Sequence, residues 1–324
     1  MNDAFLRDTK VRVPLICGPM YPCSNPELVA AVSEAGGLGV VQPLSLTYVH
    51  GYEFRAGLRQ IRSLTSAPIG FNALIEASSR TYLERMTQWI DIALEEGVRF
   101  FITSLGNPRW VCERVHAVGG VVYHDVTERK WAEKGVAAGV DGLIAVNARA
   151  GGHAGPREPE ALFRELAPLG LPIVSAGGVS TAAEFARHLR MGYTAVQMGT
   201  RFIATPECTA SNAYKQAIID ADASDIVLTE RLTGVPVSVI RNEHVERLGT
   251  RAGWFARRML RGRKTKHWMR TWYALTSLRR LKRSLRSGDT TADYWQAGKS
   301  VAGIDSVVPV VDIVEEFERA IPVD

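Results

Sequence analysis

Short apolar runs recur along the first two-thirds of the chain, and each is followed by a stretch with helical periodicity. Eight such runs stand out, at 13–17, 39–42, 69–74, 99–103, 120–123, 142–146, 172–175 and 195–198. Each is too short for a helix, which predicts a strand. The stretches between them predict helices. Over 80–95, Tyr82, Leu83, Met86, Trp89, Ile90 and Leu94 recur at helical spacing. A helix over 26–35 has Asn25 as candidate N-cap and Pro26 at its first position. Others are expected over 128–138 and up to Met191, the latter with Ser180 as candidate cap.

Strands alternating with helices imply parallel pairing through right-handed crossovers. Eight such units in roughly 210 residues predict an α/β fold of the closed (β/α)8 type, a TIM barrel. A doubly wound open sheet is the alternative, but no GxGxxG follows the first run. The units share no sequence, so a solenoid is not indicated.

After Pro206 the alternation stops. The stretch 207–221 reads as a helix, and 224–242 as mixed short apolar segments. Between 251 and 286 stand 13 Lys and Arg and no Asp or Glu, interleaved with Trp254, Trp268, Trp272 and several leucines. That spacing predicts two amphipathic helices. A last amphipathic helix over 310–321 would close the barrel ring. The expected organisation is a barrel of 1–222 plus 300–324, with a smaller, mainly helical lid of 223–299 inserted before the last helix. The basic face of that lid is read as a solvated surface, as a docking site for an anionic cofactor or acyl carrier, or as a membrane-facing surface. No nucleic-acid recognition motif accompanies it.

Composition adds limits. With 324 residues, 46% hydrophobic and 23% charged, the chain has an ordinary globular make-up and can bury a core without disulfides. The net charge of +5 is local to the basic stretch; the remainder is net acidic. No apolar stretch reaches the length of a membrane span, and 1–12 lacks an apolar signal core. Cys17, Cys23, Cys112 and Cys208 show no CxxC spacing, so reduced thiols in a cytoplasmic protein are expected, with no metal site. An oligomer is compatible with all of this.

The candidate chemistry follows from topology. In such a barrel every strand's C-terminal end opens on one face. Gly18, Pro19, Met20, Gln42, Asn72, Ser104, Asp125, His153, Gly178 and Gln197 all fall at such ends. The loop 145–156 sets Gly151, Gly152 and Gly155 around His153, as a reactive side chain held against a flat ligand or as a plain tight turn. The loops after the seventh and eighth strands carry Gly177-Gly178 and Gly199-Thr200, where these barrels commonly hold a phosphate. Backbone N–H groups of Gly178, Gly199 and Thr200 and the Thr200 hydroxyl would be the donors, helped by helix N-termini; two ordinary helix entries are the plainer reading. One phosphate on a flat aromatic ligand suggests flavin mononucleotide, FMN.

Taken together, these loops resemble the nitronate monooxygenase family, also called 2-nitropropane dioxygenase-like flavoproteins. The resemblance rests on Pro14 to Met20 with Asn25-Pro26, Ala35-Gly36-Gly37-Leu38-Gly39, Gly70-Phe71-Asn72, Ala150-Gly151-Gly152-His153-Ala154-Gly155, Ala176-Gly177-Gly178-Val179 and Gln197-Met198-Gly199-Thr200-Arg201-Phe202. It implies an FMN-dependent oxidoreductase of small molecules that oxidises alkyl nitronates with O2. Gly18, Pro19 and Met20 would line the flavin ring and Asn72 would bond to it. Gly151, Gly178, Gln197, Gly199 and Thr200 would belong to the cofactor site, and His153 would be the active-site histidine. The same loops also resemble NAD(P)H-dependent flavin reductases of enoyl thioesters or quinones; a non-catalytic flavin- or partner-binding protein is a further class. The chain departs from many relatives at Val146, Asn147 and Arg149, where Gln or Asp, Gly, and an acid are common, and at Asp125, where some have lysine. Arg149 and Asp125 are therefore candidate substrate residues; Arg149 would bind an anionic substrate head or simply face solvent.

Overall fold

The computed structural model describes residues 3–76, 79–232, 234–251, 276, 278–286 and 293–322. Eight parallel strands close into a barrel in sequence order. They are β1 (Leu15–Cys17), β2 (Leu38–Val41), β3 (Ile69–Leu74), β4 (Phe100–Ser104), β5 (Val121–Val126), β6 (Gly142–Val146), β7 (Ile173–Ala176) and β8 (Ala195–Met198). The ring closes at β1, where Ile16 lies opposite Leu38 of β2 and Gln197 of β8. The expected TIM barrel is the observed one.

Successive strand residues point to opposite faces. Ile16, Val40, Ile102, Tyr123, Ile144 and Val174 fill the barrel interior. Phe71, Phe101, Val122 and Leu143 point outward and join Leu58, Trp89 and Ile90 of the surrounding helices in a second core. The helix Pro26–Glu34 lies so close to β2 that a Cβ on Gly39 would stand 2.0 Å from the Val29 carbonyl oxygen, so glycine is required there. The last helix, Val310–Arg319, packs between Pro26–Glu34 and Ala182–Arg190 and completes the ring. Its Phe317 stacks on Phe185 with ring centroids 5.3 Å apart.

The bottom of the barrel is plugged by a helix that the sequence pattern does not announce, Ala4–Thr9. Phe5 meets Phe100 and Tyr123 edge-on at 5.9 and 6.3 Å. The Tyr123 hydroxyl donates to Asp8 at 2.9 Å. Burial of one such Phe stabilises by about 1.5–3 kcal/mol. Six residues are too few to display a helical period.

Several expected boundaries shift, each for a local reason. β1 starts at Leu15 because Pro14 has no N–H for the ladder. β5 runs on through His124 and Asp125 to Val126. Helix Ala182–Arg190 is capped by Thr181, not Ser180, in a capping box with Glu184. Asn25 occupies its N-cap position, but its side chain is spent on Glu27 and on the backbone of Glu207 and Thr209. The helix expected over 207–221 is confined to Asn212–Asp220, with Ser211 as its cap.

Within 223–299, the segment 224–242 forms an antiparallel pair of strands, β9 (Ile226–Thr229) and β10 (Val237–Ile240). A helix Glu243–Leu248 follows, and 278–286 is helical. The first expected basic helix, around Trp254 to Trp272, lies outside the described residues. No described helix is long and apolar enough to cross a membrane.

Candidate active site

The strand parity that fills the barrel also builds the floor of its mouth. One inward step above the interior core come Asn72 on β3, Asp125 on β5 and Gln197 on β8. Each keeps a buried oxygen with no hydrogen-bond partner: Asn72 Oδ1, Asp125 Oδ1 and Gln197 Oε1. A buried polar atom left unpaired costs about 1–3 kcal/mol. Three of them converging on one opening mark a surface made for a polar ligand. Burial also drives the Asp125 carboxyl up to about 7, so that near neutral pH it holds a proton half the time.

The wall beside Gln197 is β1's loop. A Cβ on Gly18 would stand 2.9 Å from Gln197 Cγ, so the glycine leaves room for the Gln197 side chain to pack against the β1 loop. Met20 reaches across to Gly199, with Sδ 3.2 Å from where a Cβ would be. Met20 is held by Ser24 Oγ accepting its N–H at 2.9 Å and by Ser45 Oγ donating to its carbonyl at 3.0 Å. Gln42 does not enter the site; its side chain accepts from the Ser45 N–H.

Next around the ring lie the glycine loops that follow β7 and β8. Neither Gly178 N–H nor Gly199 N–H donates to another described residue. Thr200 Oγ1 accepts from the Gly298 N–H at 3.0 Å and so keeps its own proton to donate. At the start of the helix after β7, Glu184 Oε2 accepts from the Ser180 and Thr181 N–H groups. A carboxylate already occupies that helix start.

The loop after β6 carries His153. Asn147, fully buried, braces it: Nδ2 donates to the Gly177 carbonyl at 2.9 Å, Oδ1 accepts from Arg149 N–H at 2.8 Å, and the carbonyl accepts from Gly155 N–H. Gly152 adopts a left-handed conformation, φ +67°, and its carbonyl is bonded by Ser238 of β10. His153 is reached by solvent at the rim, while surrounding protein mass lowers its pKa from the ordinary histidine value. It is therefore a neutral imidazole at neutral pH, able to accept a proton. Arg149 does not join the floor residues. Its Nε, buried and unpartnered, lies where a Cβ on Gly178 would be 2.5 Å away.

A strap that sequence reasoning missed ties these parts together. Ile240 N–H donates to the Trp295 carbonyl, and Lys299 N–H to the Arg149 carbonyl. Gly298 fits so tightly on the histidine loop that its Cβ would lie 2.7 Å from Gly151 N. Trp295 stacks on Tyr214 at 5.7 Å, and Tyr214 OH donates to the Gln296 carbonyl. The only local sign in the sequence is a lone glycine after a tryptophan.

Unpaired acceptors on a flat floor, free N–H groups in two glycine loops and no cluster of metal-binding side chains among the described residues suit a flavin. Fold and site together define the class of flavin-dependent TIM-barrel oxidoreductases. The chain belongs to the nitronate monooxygenase family, whose model matches residues 4–319. The nitronate monooxygenase of Pseudomonas aeruginosa is 32% identical, covering 72% of this chain and 78% of that protein. The (3aS,4S,5R,7aS)-5-hydroxy-7a-methyl-1-oxo-octahydro-1H-indene-4-carboxyl-CoA dehydrogenase of Mycobacterium tuberculosis is 28% identical, covering 94% of this chain and 91% of its own length. Among solved structures, FabK from Thermotoga maritima superposes with a TM-score of 0.80 at 26% identity, covering 97% of this chain and 94% of that one.

Proposed function

We propose that this chain is an FMN-dependent oxidoreductase that oxidises alkyl nitronates with O2. The observation that carries the reading is the set of unpaired oxygens of Asn72, Asp125 and Gln197 at the barrel mouth, the same end of the barrel from which the His153 loop leaves β6. The flavin, when bound, supplies the redox chemistry. Asn72 and Gln197 would offer it hydrogen bonds, Gly18 to Met20 would line its ring, and Gly151, Gly178, Gly199 and Thr200 would hold its outer half. His153 takes the carbon-bound proton of a neutral nitroalkane, or stands beside the nitronate. Four free, buried cysteines accord with a cytoplasmic setting.

A second reading, a flavin enzyme acting on a CoA or acyl-carrier thioester, has its own support. The CoA-ester relative covers so much of this chain that its match takes in most of 223–299. The basic segment 278–286 lies at the rim: Lys282 donates to the Tyr48 carbonyl, and Tyr21 OH, beside Met20, donates to the Leu278 carbonyl at 2.8 Å. Arg279, Arg280 and Arg286 are exposed there, a charge that suits nucleotide phosphates, while Arg283 is paired with the buried Asp293.

An anaerobic visible spectrum of the purified protein separates the two. A flavin band that collapses with an alkyl nitronate and ignores NADH and NADPH supports the first reading. Bleaching by a nicotinamide, or by an acyl-CoA, with no response to nitronate overturns it in favour of the second. A chain that binds no FMN sinks both.

A further inference from the structure

We propose that Arg149 is a side-chain ligand of the cofactor phosphate, an assignment that rests on the FMN reading above. Four observations place it there. A Cβ on Gly178 would stand 2.5 Å from Arg149 Nε and 2.8 Å from its Cδ, so the side chain lies against the β7 glycine loop. The Nε is buried and has no partner, and no acid pairs with Arg149 among the described residues. The Arg149 backbone is tied to Thr200 through the strap: its carbonyl accepts from Lys299 N–H, and the neighbouring Gly298 N–H bonds Thr200 Oγ1. His188, on the helix behind the loop, is held down to about 4 by burial first, then by the charges of Arg187 and, in part, Arg149. That last contribution accords with the guanidinium lying against the β7 loop, where the contact with Gly178 puts it.

The electrostatics explain why a side-chain cation is needed. A phosphate monoester dianion at a glycine loop ordinarily leans on the following helix N-terminus. Here Glu184 caps the helix Ala182–Arg190 and places a carboxylate at that end. After β8 the helix is one turn, Thr200–Ile203, with little dipole to offer. The free N–H groups of Gly178 and Gly199 supply hydrogen bonds but little net charge. Arg149 provides the missing positive charge in a shielded position, where a guanidinium–phosphate bond is strong. Its side chain lies over Gly178, the β7 glycine loop assigned to the outer half of the flavin.

The test is flavin affinity, read by fluorescence quenching on titrating the apoprotein with FMN and with riboflavin, which lacks the phosphate. Arg149→Gln is expected to weaken FMN binding roughly ten- to hundredfold while changing riboflavin binding less than about threefold. Arg149→Lys is expected to recover part of the loss, and 0.5 M salt, about fivefold above usual ionic strength, to weaken wild-type FMN binding more than that of Arg149→Gln. Thermal unfolding of the apoproteins checks that the variants fold. Equal losses for FMN and riboflavin, or unchanged FMN affinity with a raised KM for an anionic substrate, overturn the assignment while leaving the FMN reading intact. A wild-type chain that binds neither flavin overturns both.

Discussion

The backbone N–H of Ser238 donates to the carbonyl of Gly152 at 2.8 Å, so a strand outside the barrel holds the loop that carries His153. Ser238 lies opposite Leu228 of β9, and its N–H, like that of Ile240, points away from that partner strand. The hairpin's free edge is thus used to fix the histidine, and fixing a reacting group in place is a large part of catalysis. Ser238→Pro removes this one donor without removing a β9–β10 bond. Its expected effect is a roughly tenfold fall in kcat, about the value of one hydrogen bond, with flavin content unchanged. Ser238→Ala, which keeps the N–H, should behave as wild type. Steady-state kinetics on the two variants decide it, and a proline variant with normal turnover would show that the strap does not position His153.

His153 itself should be separable from cofactor binding. Its loop is braced by Asn147 and Gly152 through backbone and amide bonds that do not involve the imidazole. His153→Ala is therefore expected to keep bound flavin and to lose turnover by about 10²–10⁴-fold, the usual worth of a general base. The absorption spectrum and kcat are the two readouts. Loss of the flavin band would reassign His153 to a structural part.

Much of this site was legible before the fold was known, because strand parity and topology act together. Asn72, Asp125 and Gln197 sit two positions beyond apolar or glycine residues of the same strands, so a closed barrel brings them to one floor. The glycine loops were legible because only glycine tolerates the approach seen at Gly178 and Gly18. What escaped was non-local. Nothing in the residues near Ser238 or Gly298 shows that they will pair with Gly152 and Thr200, since those contacts depend on how a distant segment folds back. At Arg149 the sequence shows an unusual residue but not where its side chain goes; only the side chain's direction reveals that it lies on Gly178. The capping at Thr181 differs from the expected Ser180 because both hydroxyls precede the same helix and only the backbone geometry chooses between them.

Two buried histidines make the barrel acid-sensitive. His124 Nδ1 shares a hydrogen bond with Thr103 Oγ1 at 2.9 Å, and His188 Nδ1 one with Ser175 Oγ at 2.8 Å. Burial holds each down to about 4. Between that value and the ordinary 6.5, the unfolded chain binds protons that the folded chain refuses. Stability is therefore full above 6.5 and is lost as pH falls toward 4, by up to about 3 kcal/mol per histidine. The melting temperature is expected to drop over that window. His188→Gln should flatten the drop, even where it lowers the plateau. A variant whose melting temperature falls as steeply as wild type between pH 6.5 and 4 would remove His188 from this account.

Asp125 gives the reaction a pH dependence whose sign reports the substrate form. Its carboxyl stands on the mouth floor, pushed up to about 7 by burial, with one oxygen unpartnered. Below that value it is neutral and can donate a hydrogen bond; above it, it is an anion facing the ligand. A preformed nitronate is repelled by the ionised carboxylate, so kcat/KM with nitronate should fall as pH rises through about 7. A neutral carbon acid gains a second base instead, so its kcat/KM should rise over the same range. Asp125→Asn removes the titration and should flatten both profiles near this pH, with flavin still bound. Profiles measured with the two substrate forms, on wild type and variant, provide the check. If wild type and Asp125→Asn titrate alike, Asp125 is not the group that the substrate senses.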